Sequence, residues 1–363
     1  MKNTFGSALT VTLFGESHGS HIGAVIDGIS PGIKVNTDYI DKKLAMRRPS
    51  GKISTARVEV DKYQLISGVF NGYTTGAPIT LIIPNENTDS KSYNKDLPRP
   101  SHADFSAECK YHGFQDYRGG GHFSGRVTAA LVAVGAILSS ALEAHGIKIG
   151  THISKLHGIS DRNFENLTED IDFLNETNFP VLSAEKADKM RLEIEAAHEC
   201  GDSVGGILES VISGVPCGVG EPWFDSVESV ISHILFSIGG IKGVEFGSGF
   251  ALADMFGSEA NDSFILNGEK IETETNHSGG INGGITNGMP IIVRSAVKPT
   301  PSIYKKQKTV NLASMAEEDF QITGRHDPAI IHRVRSVVDA ALAIAVADML
   351  TLRYGSDFLA KSK

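Results

Sequence analysis

"GYTTGAPITLII", residues 72–83, decides the fold, because its pattern occurs twice. "GITNGMPIIVRS", residues 284–295, carries Gly, Thr, Gly, Pro and Ile at the same spacing. Each stretch reads as a Gly/Pro turn feeding an apolar strand. Two more pairs follow in the same order. "GAVIDGISPGIKV" (23–35) resembles "LESVISGVPCGVG" (208–220), with apolar alternation, then Gly, Pro and Gly. "VTAALVAVGAILSSALEAHG" (127–146) and "HRVRSVVDAALAIAVADMLTLR" (332–353) are both long, alanine-rich and apolar on most faces, as buried helices are. Partners lie about 185 to about 212 residues apart, the mark of an internal repeat.

The expected fold is therefore α+β. Antiparallel sheets pack around a helical layer, in one domain spanning 1–363 with an internally duplicated core (pseudo-repeats about 1–150 and 190–355). No GxGxxG follows a strand in a βαβ setting, so a dinucleotide-binding Rossmann domain is not expected.

Composition narrows the function. With 40% hydrophobic and 21% charged residues, the chain is ordinary for a globular protein. Its formal charge of -9 argues against a nucleic-acid surface, so local basic clusters read as sites for small anions. No 18-residue run is wholly apolar, which predicts no membrane span, and the start lacks a signal-peptide pattern. Cys109, Cys200 and Cys217, without CxxC spacing, suggest a reducing, cytoplasmic setting. No HExxH motif or Cys/His cluster appears, so no metal is expected.

Four loops carry unusual chemistry. "FGESHG" (14–19) sets His18 on a Gly-flanked turn, where it reads as an acid–base group or as part of a structural turn. Ser17 and His18, if on a strand, point to opposite faces and make a poor nucleophile pair. "RRPSGK" (47–52) offers Arg47, Arg48 and Lys52 to an anion, or to solvent. "RPSHADF" (99–105), with Arg99 and His102, precedes "DYRGGGHFSGR" (116–126). The latter's glycines let a backbone approach a ligand ahead of a helix N-terminus, although the spacing is not that of a P-loop. "GRHDP" (324–328) brings Arg325, His326 and Asp327 to a turn. Asp327 is open to catalysis or helix capping, and Pro328 to starting the helix. With Arg118, Arg126 and Lys298, these loops form a cationic set suited to a small substrate with several negative charges.

The chain closely resembles the chorismate synthase family. The resemblance rests on "FGESHG", "RRP", "RPSHAD", "DYRGGG", "GDSVGG", "GVGEPWFD", "IKGVEFG", "NHSGG", "KPTPS" and "GRHDP", in the family's order over nearly the whole chain. It implies a β-α-β sandwich, a homotetramer, and a 1,4-anti elimination of phosphate from 5-O-(1-carboxyvinyl)-3-phosphoshikimate. That reaction gives chorismate, the last step of the shikimate pathway. The enzyme is a carbon–oxygen lyase that needs reduced FMN (FMNH2) without net redox change. The substrate, with one phosphate and two carboxylates, matches the cationic set. By resemblance, His18 would be the general acid toward phosphate, His102 would hold a proton near flavin N1, and Asp327 would assist flavin N5. Substrate oxygens would fall to Arg47, Arg48, Lys52, Arg99, Ser124, Arg126 and Arg325. Flavin contacts would fall to His122, Phe123, Ser124, Gly239, Gly240, Gly283, Lys298, Pro299, Thr300, Pro301, Ser302 and Arg325.

The sequence departs from the family in three places. His122-Phe123-Ser124 stands where many members have Arg-Ser-Ser, Ser101 where many have Gly, and Lys52 where Arg is frequent. A forked Arg contact there becomes a single His or Lys contact. No insertion is assignable to reductase work, which favours an external flavin reductase, with NADPH as the indirect electron source. Two other readings fit the residues less well: a flavin-independent lyase or phosphatase on a phosphorylated sugar acid, and a non-catalytic flavin-binding protein.

Overall fold

The computed structural model describes residues 2–49, 53–54, 61–86, 93–322 and 327–360. Two five-stranded sheets, antiparallel throughout, carry the fold. The first contains β1 (Thr4–Phe5), β2 (Thr10–Gly15), β3 (His21–Asp27), β4 (Gln64–Ser67) and β5 (Ile79–Pro84), in the order β1-β2-β3-β5-β4. The second contains β6 (Lys148–Leu156), β7 (Ile159–Ser160), β8 (Gly206–Ser213), β9 (Ile241–Phe246) and β10 (Ile291–Val297), in the order β9-β10-β8-β6-β7. The period-2 pattern has its expected effect. Ile79, Leu81 and Ile83 of β5 are buried, as are Ile291, Val293, Ser295 and Val297 of β10, with the residues between them less so.

The echoed segments hold equivalent places. β3 pairs with β5 and β8 with β10, each at the centre of its sheet. The Thr shared by the two 12-residue stretches makes the same bonds in both. Thr74 Oγ1 donates to the Ser30 carbonyl (2.6 Å) and accepts from the Ile33 N–H (2.9 Å). Thr286 Oγ1 donates to the Pro216 carbonyl (2.7 Å) and accepts from the Val219 N–H (2.9 Å).

Helices pack on both sheets. α1 (Thr37–Met46) starts at Asn36, whose side chain accepts from the Tyr39 N–H, and packs on α3. α2 (Asp104–Tyr111) is short. α3 (Thr128–Ala144) rests on β3 and β5. α4 (Leu167–Leu174) packs on β6, α5 (Ala184–Glu199) on β7, and α6 (Val227–Ser237) on β9. α7 (Ile331–Tyr354) rests on β6 and β8 and runs against α3. Small residues permit that approach: a Cβ on Gly135 would lie 2.4 Å from the Cβ of Ala340. By length and composition alone the helix over Gly125–Ala144 could cross a membrane. It is mostly buried inside the protein, where its Ala, Gly and Val faces meet α7 and the first sheet. Cys109, Cys200 and Cys217 are exposed and unpaired, as their spacing suggests.

Candidate active site

Loops far apart in sequence surround one cavity of about 1810 Å³. They are the turn after β2, the Pro49 end of α1, the 99–104 turn, the glycine loop before α3, the α6–β9 link, the segment leaving β10, and the approach to α7. At this size the cavity exceeds the usual range for one small ligand.

The glycine loop is its floor. Gly119, Gly120 and Gly121 all have left-handed φ (60°, 81° and 52°), which only glycine adopts in succession without strain. Two of them pack closely on histidines, and the third, Gly121, on the Asp116 backbone. A Cβ on Gly119 would lie 2.7 Å from His18 Nε2 and 2.8 Å from Ser17 Oγ, and one on Gly120 would lie 3.2 Å from His102 Cε1. The loop is tied to the first turn by the Ser17 N–H donating to the Gly121 carbonyl (3.0 Å). His122 Nδ1 is 2.9 Å from the Gly15 carbonyl; a carbonyl only accepts, so Nδ1 carries the proton. Ser17 and His18 sit in a turn, not on a strand, so both side chains reach Gly119 and the opposite-face expectation fails. His18 is 9% exposed and meets Tyr93 edge-on, with ring centres 5.4 Å apart.

The cations are organised by carboxylates, of which the sequence singles out only Asp327. Arg47 and Arg126, both buried, share buried Asp61. Arg47 also donates to the Gly125 carbonyl (2.6 Å), and Arg126 to Asn85 Oδ1 (2.9 Å) and the Pro84 carbonyl (3.0 Å). Arg99 forks onto Asp104 through Nε and Nη2, both at 2.8 Å, and His102 Nδ1 lies 2.7 Å from the same carboxylate. Burial pushes the Asp104 carboxyl up, but hydrogen bonds from Arg99 and His102, with their charges, hold it well below the usual carboxylate range. Asp327 takes Arg333 Nη1 at 2.5 Å, and Arg333 Nε donates to the Arg47 carbonyl (2.9 Å). α7 begins at Ile331 with no side-chain cap, so Asp327 does not cap it and Pro328 does not start it.

The remaining expected residues divide. Phe123 and Ser124 line the cavity. Ser124 Oγ accepts from the Arg126 N–H (3.3 Å), which leaves its own O–H to donate. Gly239, Gly240 and the Lys298–Ser302 segment line it too. Lys298 Nζ donates to the Ser101 carbonyl (2.7 Å), and burial, then the charge of Lys242, lower its pKa. Arg48 Nε and Thr300 Oγ1, both buried on the cavity wall, have no hydrogen-bond partner. Gly283 is exposed in a turn away from this wall, and Arg118 stays with Asp116 at 2.8 Å. Lys52, Arg325 and His326 lie outside the described residues. No group of metal ligands occurs among the described residues. Of the residues that sequence reasoning missed, Asp104 stands inside "RPSHADF", two positions from His102, and Arg333 inside the helix stretch. Asp61 and Asn85 carry no local signal at all.

The family model described as chorismate synthase matches residues 9–351. The chain belongs to the chorismate synthase family. Among curated members, the chorismate synthase of Pyrococcus abyssi is 46% identical over 350 residues, covering 96% of this chain and 97% of its own. That of Chitinophaga pinensis is 46% identical over 362 residues, covering 99% and 100%. A solved structure titled "Crystal Structure of Chorismate Synthase" superposes with a TM-score of 0.76 at 30% identity, covering 97% of this chain and 94% of that one. This chorismate synthase family member is thus a lyase, of mixed helices and antiparallel sheets.

Proposed function

We propose that this chain eliminates phosphate from 5-O-(1-carboxyvinyl)-3-phosphoshikimate to give chorismate, with reduced FMN held in the same cavity. The carrying observation is a cavity of about 1810 Å³ that gathers His18, His102, Asp327, Arg47, Arg48, Arg99 and Arg126 in a chain of net charge -9. Its residues fit a flavin. Thr300 Oγ1 is a buried donor without a partner, and a Cβ added at Gly239 would meet nothing within 4 Å, which leaves room for a flat ring. Lys298 to Ser302, Gly239, Gly240 and His122 to Ser124 would hold it, joined by Arg325 as the family implies. When bound, reduced FMN supplies the transient electron density that the unactivated allylic system lacks.

The chain's own groups bind, orient and move protons. Arg48 and Arg99, with Lys52 and Arg325, take substrate anions, while Arg47 and Arg126, fixed by Asp61, set a positive field behind them. His18, on the Gly119 floor, is the general acid placed to protonate the leaving phosphate. His102 presents Nε2, because ionised Asp104 accepts the Nδ1 proton. Asp327, anchored by Arg333, is the carboxylate assigned to the proton that leaves C6.

Anaerobic assay of phosphate release, with and without reduced FMN, tests this reading. Turnover is expected only with reduced flavin, and release without any flavin would favour the flavin-independent lyase. Flavin binding with no turnover would favour the non-catalytic reading. We also read the two sheets as halves of a duplicated sandwich in one domain. As the family implies, we infer a homotetramer in a reducing cytoplasm, its flavin reduced by an external reductase drawing on NADPH.

A further inference from the structure

We infer that Asp104 is a positioning residue for the reaction, a single carboxylate that fixes the tautomer of His102 and the fork of Arg99 together. The inference rests on the reading of His102 given above. Asp104 is the first residue of α2, yet its oxygens turn back instead of capping the helix. Oδ2 accepts from the Arg99 backbone N–H (3.0 Å) and Nε (2.8 Å), while Oδ1 accepts from Arg99 Nη2 (2.8 Å) and His102 Nδ1 (2.7 Å). Arg99 Nη2, a donor only, also lies 3.0 Å from His102 Nδ1, but an unprotonated Nδ1 would set its lone pair against the ionised Asp104 carboxylate at 2.7 Å, so Nδ1 carries the proton and donates to Oδ1. The three side chains are 15–23% exposed, sheltered enough for these bonds to hold.

The surrounding turn is held from both sides. Ser101 has φ +58°, a left-handed conformation that costs a non-glycine residue about 1–2 kcal/mol. The Asp104 bonds on one side and the Lys298 Nζ bond to the Ser101 carbonyl on the other keep it there. Gly120 closes the far side of the imidazole. The ring therefore has one tautomer and one orientation, with Nε2 as the nitrogen left for a ligand. Arg99 has its Nη1 left for the substrate.

Asp104→Asn separates positioning from packing, because the shape stays and the hydrogen-bond sense changes. Two Arg99 donors converge on Oδ2 and one on Oδ1, so the amide oxygen takes the Oδ2 place and the NH2 group the Oδ1 place, where it costs the fork its Nη2 bond and faces His102 Nδ1, which forces the ring proton to Nε2. The test uses the full chain labelled with 15N-histidine, together with anaerobic kinetics and melting curves. In the parent protein, His102 is expected as the Nδ1–H tautomer. In Asp104→Asn it is expected as Nε2–H, with kcat lowered about 100-fold and substrate KM changed less than about fivefold. An Nε2–H tautomer in the parent overturns the inference whether or not the variant folds. So does a kcat within about threefold of the parent in a folded Asp104→Asn. His102→Ala is the separate control: its full activity would sink the catalytic reading of His102 itself, whereas its inactivity beside an active Asp104→Asn sinks only the inference.

Discussion

Gly119→Ala puts the packing of the glycine loop to the test. The added methyl would sit 2.7 Å from His18 Nε2, 2.8 Å from Cδ2 and 2.8 Å from Ser17 Oγ. Ordinary contact needs about 3.4 Å or more, so the imidazole must move by at least about 0.7 Å, in an interior that does not yield freely. A misplacement of about 1 Å at a reacting group costs up to about 100-fold in rate, so kcat is expected to fall about 10- to 100-fold. The stability cost is separate. Alanine at φ +60° loses about 1–2 kcal/mol. Spread over 363 residues at about 2.1 cal/mol/K each, that lowers Tm by only about 2 °C. Anaerobic phosphate release with saturating reduced FMN gives the first number, and scanning calorimetry the second. A variant with the expected small Tm shift but turnover within about twofold of the parent would refute the claim that this glycine sets the position of His18. A much larger Tm loss would show that the methyl disturbs the frame instead of the histidine.

Two other outcomes follow from buried charge. Asp61→Asn leaves Arg47 and Arg126 without their shared anion, in a setting where the three side chains are 2–10% exposed. It should lower unfolding free energy by about 3 kcal/mol, read from urea titration, and a loss under about 1 kcal/mol would contradict the pairing. His332 is 2% exposed, and burial, then the charge of Arg333, push its pKa down to about 3. The unfolded chain then binds the extra proton between about pH 3 and 6.5, so stability falls as pH drops through that window and is unaffected above it. Between pH 7 and 5 the parent should lose about 2 kcal/mol that His332→Asn does not. Parallel urea curves for the two proteins would exclude this account.

The helices and central strands are legible in the sequence because each carries its own period. Ala-rich runs that are apolar on most faces read as buried helices, and the Gly-Pro turn before β5 recurs before β10. The site is legible as loops rich in Arg, His and Gly, and the structure brings most of those loops to one cavity. The acids behind them are not. Asp61 meets Arg47 and Arg126 from positions 14 and 65 residues away, and with 43 acidic residues in the chain no local pattern distinguishes it. Spacing marks the glycine loop as a ligand cradle, but it does not say what a bare backbone approaches; here it approaches two imidazoles. The expectation for Ser17 and His18 fails because it extends β2, whereas Gly15 ends that strand.

The contact between α3 and α7 also has a timetable. Residue 135 needs residue 340 as its neighbour, and the ribosome makes that partner roughly 200 residues later. At about 5–20 residues per second the delay is about 10–40 s. Throughout it, a nascent chain carries a 20-residue helix, apolar enough for a bilayer, with one flank uncovered. Until then the first sheet and α1, both made before it, are on hand to cover part of that helix.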